Sequence, residues 1–222
     1  MINTLDDYIC RSVPEGQEFT TNPNLIKKVD HFGRILPYKG NTVVFLLEEQ
    51  VKAQLALLQR EIYQRAGDML GEELKPDAFH MTLHDLANGM PHQEGLAERM
   101  AEAEQMAGPV IAEWKEQPPL IMRTTWLFNM VNTSVVLGLA PADEDSRSRL
   151  SDMYARLEQV VRLGYALTPH ITMGYFKPGT YGAEQAKRLS GALRRVELEV
   201  ALKMENLTLQ NFTDMNNYYS IM

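Results

Sequence analysis

The sequence predicts a protein of mixed helices and strands, built from two related halves that face each other over a cleft. A strand, an amphipathic helix and a second, histidine-bearing strand follow one another twice along the chain. His80 lies 39 residues after Asn41, and His170 lies 38 residues after Asn132. Because two copies of one supersecondary unit in a compact protein can be related by a pseudo-two-fold axis, we expect the two histidine-bearing strands to meet over one cleft.

Length and composition are those of an ordinary globular protein. The 222 residues are 45% hydrophobic and 23% charged, which is enough to bury a full core. The N-terminal stretch has acidic residues where a secretory signal is basic, and no apolar run approaches the length of a membrane span. We therefore expect a cytoplasmic protein without a membrane segment. The single cysteine, Cys10, excludes an internal disulfide.

Net charge limits the class of partner. The chain carries a formal charge of -7, and its pI is near 5.3. Binding along a nucleic-acid backbone depends on clustered Lys and Arg side chains that release counterions, so we expect no long nucleic-acid binding. A nucleotide substrate would be small or held at one end only. We expect the protein to be a monomer.

The first forty residues are predicted to form an extension, because they are polar, contain several prolines and include at most one short helix, over 24–30. The apolar run 42–47 predicts a buried strand. Apolar residues at intervals of four, three and four then predict an amphipathic helix, with Val51, Leu55, Leu58 and Ile62 on its buried face. A turn at 75–77 leads into the strand 77–86, which carries His80.

A helical pattern then runs over 93–117, and Gly108-Pro109 is expected to break or kink it. Two strands follow, over 118–130 and 133–140, joined by a turn at Val131-Asn132. The next helix has Asp143 or Asp145 as its N-cap.

Three elements are predicted for the rest of the chain. The run 168–176, which carries His170, predicts a strand, and 182–193 a short helix. Residues 205–222 are expected to close the fold with a pair of strands that turn at 214–217.

Each histidine has a threonine two residues further along its strand. Side chains two apart on a strand share a face and lie about 7 Å apart, so His80 points with Thr82, and His170 with Thr172. An unperturbed His titrates near pH 6.5, so one of two facing imidazoles can act as a base while the other holds a proton. Threonine hydroxyls can donate to phosphate oxygens and stabilise a developing charge. The paired motif therefore predicts in-line phosphoester transfer without a metal.

These residues resemble a known family, the 2H phosphoesterase superfamily, which includes the bacterial RNA 2',3'-cyclic phosphodiesterases once called 2'-5' RNA ligases. Two H-x-T-hydrophobic motifs lie 90 residues apart in the sequence, each at the end of a strand-helix-strand unit. The resemblance covers residues 40–222. The run RILPYKGNTVVF, together with HMTL and TPHIT, is most similar to a little-characterised bacterial branch of the superfamily.

The resemblance implies a bilobal α+β fold in which two pseudo-symmetric lobes, each an antiparallel sheet flanked by helices, enclose a central cleft. It implies one domain over 41–222, after the extension 1–40. It further implies that His80 and His170 are the catalytic acid–base pair, and that Thr82 and Thr172 bind the substrate phosphate. The implied activity is metal-independent hydrolysis of a cyclic phosphate, carried by a small nucleotide or an RNA end, with no cofactor.

Two other functions stay open. A metal-dependent phosphohydrolase would use His84 and Asp85, although the sequence lacks the usual ligand spacings of a metal site. A non-catalytic module would hold a nucleotide or a partner in the cleft without turnover. By strict alternation we expect His84 at the edge of the cleft or on the surface, and Tyr175 in the core.

Overall fold

The structure is a computed structural model that describes Ile2 and residues 17–221, so Cys10 lies outside the described residues. Within 17–221 the chain forms four α-helices and ten β-strands. The helices are α1 (Glu49–Ala66), α2 (Leu96–Ala112), α3 (Glu144–Leu157) and α4 (Ala183–Ala192). The strands are β1 (Phe19–Thr20), β2 (Lys39–Leu46), β3 (His80–Gly89), β4 (Leu120–Met130), β5 (Ser134–Pro141), β6 (His170–Tyr175), β7 (Thr180–Tyr181), β8 (Glu199–Leu202), β9 (Leu207–Asp214) and β10 (Asn217–Ser220).

Eight of these strands form one antiparallel sheet in the order β10-β9-β2-β3-β6-β5-β4-β8. The remaining two, β1 and β7, pair in a small separate sheet. The large sheet consists of two four-stranded halves that meet between β3 and β6, where Met81 pairs with Ile171. The predicted α+β fold with two related lobes is confirmed. The sheets of the two lobes are continuous through this pairing.

Matching backbone pairings relate the two halves. In the first half Phe45 of β2 pairs with Met81, and in the second Leu137 of β5 pairs with Ile171. The units β2-α1-β3 and β5-α3-β6 are therefore the two copies that the sequence intervals predict.

The strand residues that follow each histidine anchor the sheet in the core. Met81 and Ile171 are fully buried, and they belong to the same apolar cluster as residues of α1 and α3. Replacing either with alanine would cost about 2 to 5 kcal/mol of stability, because a cavity remains where the side chain was. This core fixes one face of β3 and β6, and the histidines lie on the other face.

The segment before β2 packs against both halves of the molecule, and Tyr38 at its end stacks on Phe212 of β9. Phe19 is buried, and its ring centroid lies 5.5 Å from that of Phe176 and 5.3 Å from that of Tyr181. Leu25 and Val29 also lie in the main core. A short 3-10 helix, Pro23–Lys27, begins at Asn22, whose side chain accepts a hydrogen bond from the Asn24 N–H. The division of the chain at residue 40 stays a prediction.

Several local predictions can be compared with the structure. The turn at Val131-Asn132 is confirmed, and both residues have positive φ, 47° and 58°. Asp143 is the N-cap of α3, since its carboxylate accepts from the Ser146 N–H. Of the break or kink predicted at Gly108-Pro109, the break does not occur: α2 runs without interruption to Ala112. Pro109 falls in the last turn of the helix, where one lost backbone hydrogen bond is outweighed by the buried residues on either side. Strand β8 was not predicted.

Candidate active site

Both histidines begin a strand of the central pair. A short 3-10 helix of three residues, Pro76–Ala78, precedes β3, and the strand itself starts at His80. Strand β6 starts at His170. The burial pattern is the same in both strands: the histidine and the threonine are half-buried, and the residue between them is fully buried. Each H-x-T motif therefore directs its histidine and its threonine to the face opposite the core.

All four predicted site residues line one cavity. Its volume is about 270 Å³, and its walls include His80, Thr82, His170 and Thr172. Since Met81 pairs with Ile171 in an antiparallel register, His80 is next to Thr172 and Thr82 is next to His170 in that register. The structure thus brings the two motifs together, one from each half of the chain.

The threonine hydroxyls are available to a ligand. Neither the Thr82 nor the Thr172 side chain makes a hydrogen bond within the described residues. A hydroxyl can donate one hydrogen bond and accept others, so each can donate to an oxygen of a bound anion.

A backbone carbonyl fixes the orientation of the His170 ring. Nδ1 of His170 lies 2.7 Å from the carbonyl oxygen of Thr168. Because a carbonyl only accepts hydrogen bonds, Nδ1 carries the proton, and Nε2 is the nitrogen that exchanges a proton with a ligand. Burial lowers the pKa of His170, and the hydrogen bond to Thr168 and the charge of Asp85 oppose this effect.

His80 has a different environment. Burial lowers the pKa of His80 to about 4, the charge of Asp85 opposes the shift, and His170 adds to it. Nδ1 of His80 is buried without a hydrogen bond of normal geometry in residues 17–221, although the backbone of Ala78, the position equivalent to Thr168, acts to raise the pKa of His80. The ring of Tyr218, from the closing hairpin, meets the His80 ring edge-on at a centroid distance of 4.7 Å. Burial thus lowers the pKa of both imidazoles, and they differ in that only His170 has a hydrogen bond of normal geometry to a backbone carbonyl.

A β-bulge follows each H-x-T motif. In the first half Val43 pairs with His84 and Val44 with Thr82, so Leu83 is the extra residue. In the second half Val135 pairs with Gly174 and Val136 with Thr172, so Met173 is the extra residue. A bulge shifts the alternation of side chains by one residue and redirects those that follow.

The first bulge corrects the expected position of His84. The side chain of His84 lines the cavity but is fully buried instead of lying on the surface, and its Nε2 is 3.1 Å from Oε1 of Glu158. Burial lowers the pKa of His84, and the hydrogen bond to Glu158 opposes that effect. Glu158 directly follows α3, and it also accepts from the backbone N–H groups of Leu163 and Gly164. His84 thus fastens the segment after α3 to the sheet.

The bulges also turn Asp85 and Tyr175 toward the cavity. Both residues are half-buried and line it, although alternation predicts Tyr175 in the core. The charge of Asp85 raises the pKa of both His80 and His170. A side chain at position 174 would oppose this arrangement, since a Cβ on Gly174 would lie 2.8 Å from the Tyr63 hydroxyl. Sequence reasoning considered Asp85 only as a metal ligand and missed its place beside the two histidines, because its orientation depends on a bulge that strict alternation cannot show.

Possible metal ligands within residues 17–221 include those of the cavity. In the part of the chain that the structure describes, no three His, Cys, Asp or Glu side chains are arranged to hold a metal ion. Likewise, no helix within 17–221 is long and apolar enough to cross a membrane.

Comparisons with known proteins identify the fold. No protein-family model matches the chain, and no curated protein matches its sequence. A conserved protein of unknown function from Agrobacterium tumefaciens, ATU0111, is 15% identical with a TM-score of 0.63, and the alignment covers 92% of this chain and 93% of that one. TT0787 of Thermus thermophilus is 16% identical with a TM-score of 0.52, over 82% and 95% of the two chains. Escherichia coli LigT in its apo form is 14% identical with a TM-score of 0.49, over 84% and 96%. The chain therefore shares the fold of the Agrobacterium and Thermus proteins along most of its length.

Proposed function

We propose that the protein is a metal-independent cyclic phosphodiesterase of the 2H phosphoesterase type, which opens the ring of a nucleoside 2',3'-cyclic phosphate, an RNA end or a related small cyclic phosphate. The observation that carries the proposal is that two H-x-T motifs, one from each half, line a single cavity. The shared fold and the sequence resemblance agree with it. A cytoplasmic monomer that needs no cofactor is part of the same proposal.

In this mechanism His80 is the general base and His170 the general acid. His80 has a pKa of about 4 and stays neutral across the physiological range, so it can accept a proton from water. Burial lowers the pKa of His170, but the carbonyl of Thr168 and the charge of Asp85 oppose this and favour the imidazolium, whose second proton is on Nε2. The short hydrogen bond to Thr168, which has no counterpart of normal geometry at His80, favours His170 as the acid.

The reaction is an in-line displacement at phosphorus. The water oxygen forms the new bond to phosphorus while His80 takes the water proton, and the bond from phosphorus to one ring oxygen breaks. His170 gives its Nε2 proton to that leaving oxygen, so the product is a single molecule that carries a phosphate monoester and a free hydroxyl group. Thr82 and Thr172 donate hydrogen bonds to the non-bridging oxygens, whose charge increases in the transition state.

The cavity suits a small substrate. Its volume is about 270 Å³ and its walls include the rings of Tyr38, Tyr175 and Tyr218, which offer apolar faces beside polar groups. The net charge of -7 agrees with a substrate held at one phosphate-bearing end.

The test is hydrolysis of a panel of 2',3'-cyclic nucleotides, ADP-ribose cyclic phosphate and short 2'-5'-linked RNA with EDTA present. We expect turnover of a cyclic phosphate by the wild type, and a loss of about 10²- to 10⁴-fold in His80→Ala and His170→Ala. His92→Ala, an exposed histidine outside the cavity, is the control and should keep full activity.

Each rival function has its own result in this assay. Activity that needs an added divalent ion would support the metal-dependent alternative. Ligand binding without any product would support a binding module. Full activity in either cavity variant would remove the proposal.

A further inference from the structure

Lys28 brings a positive charge from the N-terminal segment into the cavity. It directly follows the 3-10 helix Pro23–Lys27, and its backbone is held on both sides: its N–H donates to the Leu25 carbonyl, and its carbonyl accepts from the Leu36 N–H. The half-buried side chain lines the same cavity as His80 and His170.

Two tyrosine rings hold the ammonium group of Lys28. Nζ lies 5.3 Å from the ring centroid of Tyr38 and 5.9 Å from that of Tyr175. Cation–π contacts of this kind fix the position of a cation without neutralising its charge.

The ammonium group makes no hydrogen bond and no ion pair within residues 17–221, and the Asp85 carboxylate in the same cavity lies beyond ion-pair distance. Burial acts to lower the pKa of Lys28, but the nearby Tyr175, Asp85 and Tyr38 raise it overall, so the group stays charged. Its N–H donors are therefore unused and can bind the oxygens of an anionic ligand.

A second donor lies on the same cavity wall. The Tyr38 hydroxyl donates to Oδ1 of Asn88 at 2.6 Å, and this contact fixes the side-chain amide. Nδ2 of Asn88 then has no acceptor among the described residues, and Asn88 also lines the cavity. The Lys28 ammonium and the Asn88 amide group both contact Tyr38. Together they offer N–H donors to the oxygens of an anion.

We propose that Lys28 and Asn88 bind a second phosphate group of the substrate, separate from the cyclic phosphate that reacts between the histidines. The proposed reaction already has its acid, its base and two hydroxyl donors, so it leaves these two donors unused. The substrate class is then a cyclic phosphate with a further phosphate ester, such as a nucleoside 2',3'-cyclic phosphate that is also phosphorylated at its 5' oxygen. This inference rests on the proposed function.

The kinetic test compares two substrates, adenosine 2',3'-cyclic phosphate and the same compound with a 5'-phosphate. We expect the wild type to prefer the 5'-phosphorylated substrate by about tenfold to a hundredfold in kcat/KM, as for a hydrogen bond to a charged group. In Lys28→Gln the preference should fall close to one. Lys28→Arg should keep part of it, and Lys27→Gln, an exposed neighbour, should keep all of it. The ratio of the two kcat/KM values cancels any effect that a substitution has on both reactions alike, such as a change in the pKa of His170.

A binding measurement separates failure of the subsite from failure of the proposed function. Titration calorimetry with adenosine 3',5'-bisphosphate and with adenosine 3'-phosphate should show tighter binding of the bisphosphate, and Lys28→Gln should lose that advantage. If no cyclic phosphate is hydrolysed but this difference holds, the activity is wrong and the subsite stands. If Lys28→Gln weakens both ligands or both reactions equally, or if the wild type shows no preference, the second phosphate site is refuted.

Discussion

Met81 pairs with Ile171 where the two halves of the sheet meet, and this pairing sets His80 and His170 on one face. The two buried residues fix the register of the strands. The orientation of the histidine and threonine side chains in each H-x-T motif then follows by simple alternation. A contact in the core thus determines which polar groups share the cavity.

The threonine hydroxyls should contribute mainly to transition-state stabilisation. In Thr82→Val or Thr172→Val, the shape of the side chain is kept while its hydroxyl donor is lost. We expect kcat to fall by about 10²- to 10³-fold, as when one oxyanion donor is removed. Steady-state kinetics checks this, with Thr180→Val, an exposed threonine, as the control. Unchanged kcat in both cavity variants would show that the hydroxyls do not contact the reacting phosphate.

The pH dependence of kcat/KM should have its maximum on the acidic side. His80 must be neutral, so the rate falls as the pH drops through about 4, the lowered pKa of this residue. His170 must be protonated, so the rate also falls as the pH rises above its pKa, which is lowered from 6.5. The maximum is therefore expected below pH 6.5, because kcat/KM reports the groups of the free enzyme.

Asp85 should set the alkaline side of this profile. Its charge raises the pKa of His170, so in Asp85→Asn that pKa falls and the alkaline limb moves to lower pH. Asp77→Asn, at an exposed carboxylate outside the cavity, should leave the profile in place. A maximum on the alkaline side of neutrality, or a limb that does not move in Asp85→Asn, would contradict the assigned roles.

Tyr218 should act as a positioning residue for His80. Its ring packs edge-on against the imidazole, so Tyr218→Ala removes that support and is expected to lower kcat by about tenfold or more, as a small misplacement of a reacting group does. Tyr218→Phe keeps the ring and should restore most of the rate. Kinetics of the two variants checks this prediction. Equal losses in both would indicate a role for the hydroxyl instead of the ring.

Glu158 should stabilise the segment that follows α3. In Glu158→Gln the carboxylate that accepts from His84 and from two backbone N–H groups loses its charge. We expect the free energy of unfolding to fall by about 1 to 3 kcal/mol, measured by urea denaturation. Glu113→Gln breaks the exposed ion pair with Arg156 and should cost less than about 1 kcal/mol. If the two losses are alike, Glu158 does not have this role.

The sequence predicted the part of the site that follows from local pattern. His80, Thr82, His170 and Thr172 lie on regular strand with a period of two, and the repeat of their spacing indicated that the strands meet. Asp85 and His84 come after a bulge, which is set by pairing with β2 and leaves no clear local signal.

Long-range packing explains the other omissions. Lys28 reaches the cavity only because the segment before β2 packs onto the common core of the two halves. Strand β8 has four residues, too few for alternation to identify it, and it forms by pairing with β4.

The most direct test of the central claim is a double-variant measurement of kcat/KM for a 2',3'-cyclic nucleotide, with EDTA present. If the two imidazoles act together on one phosphorus atom, each alanine substitution removes stabilisation of the same transition state. His80→Ala combined with His170→Ala should then lose about as much as the worse single variant, within roughly tenfold. If the losses of the two single variants multiply in full, the histidines act independently, and the account of a shared site is wrong.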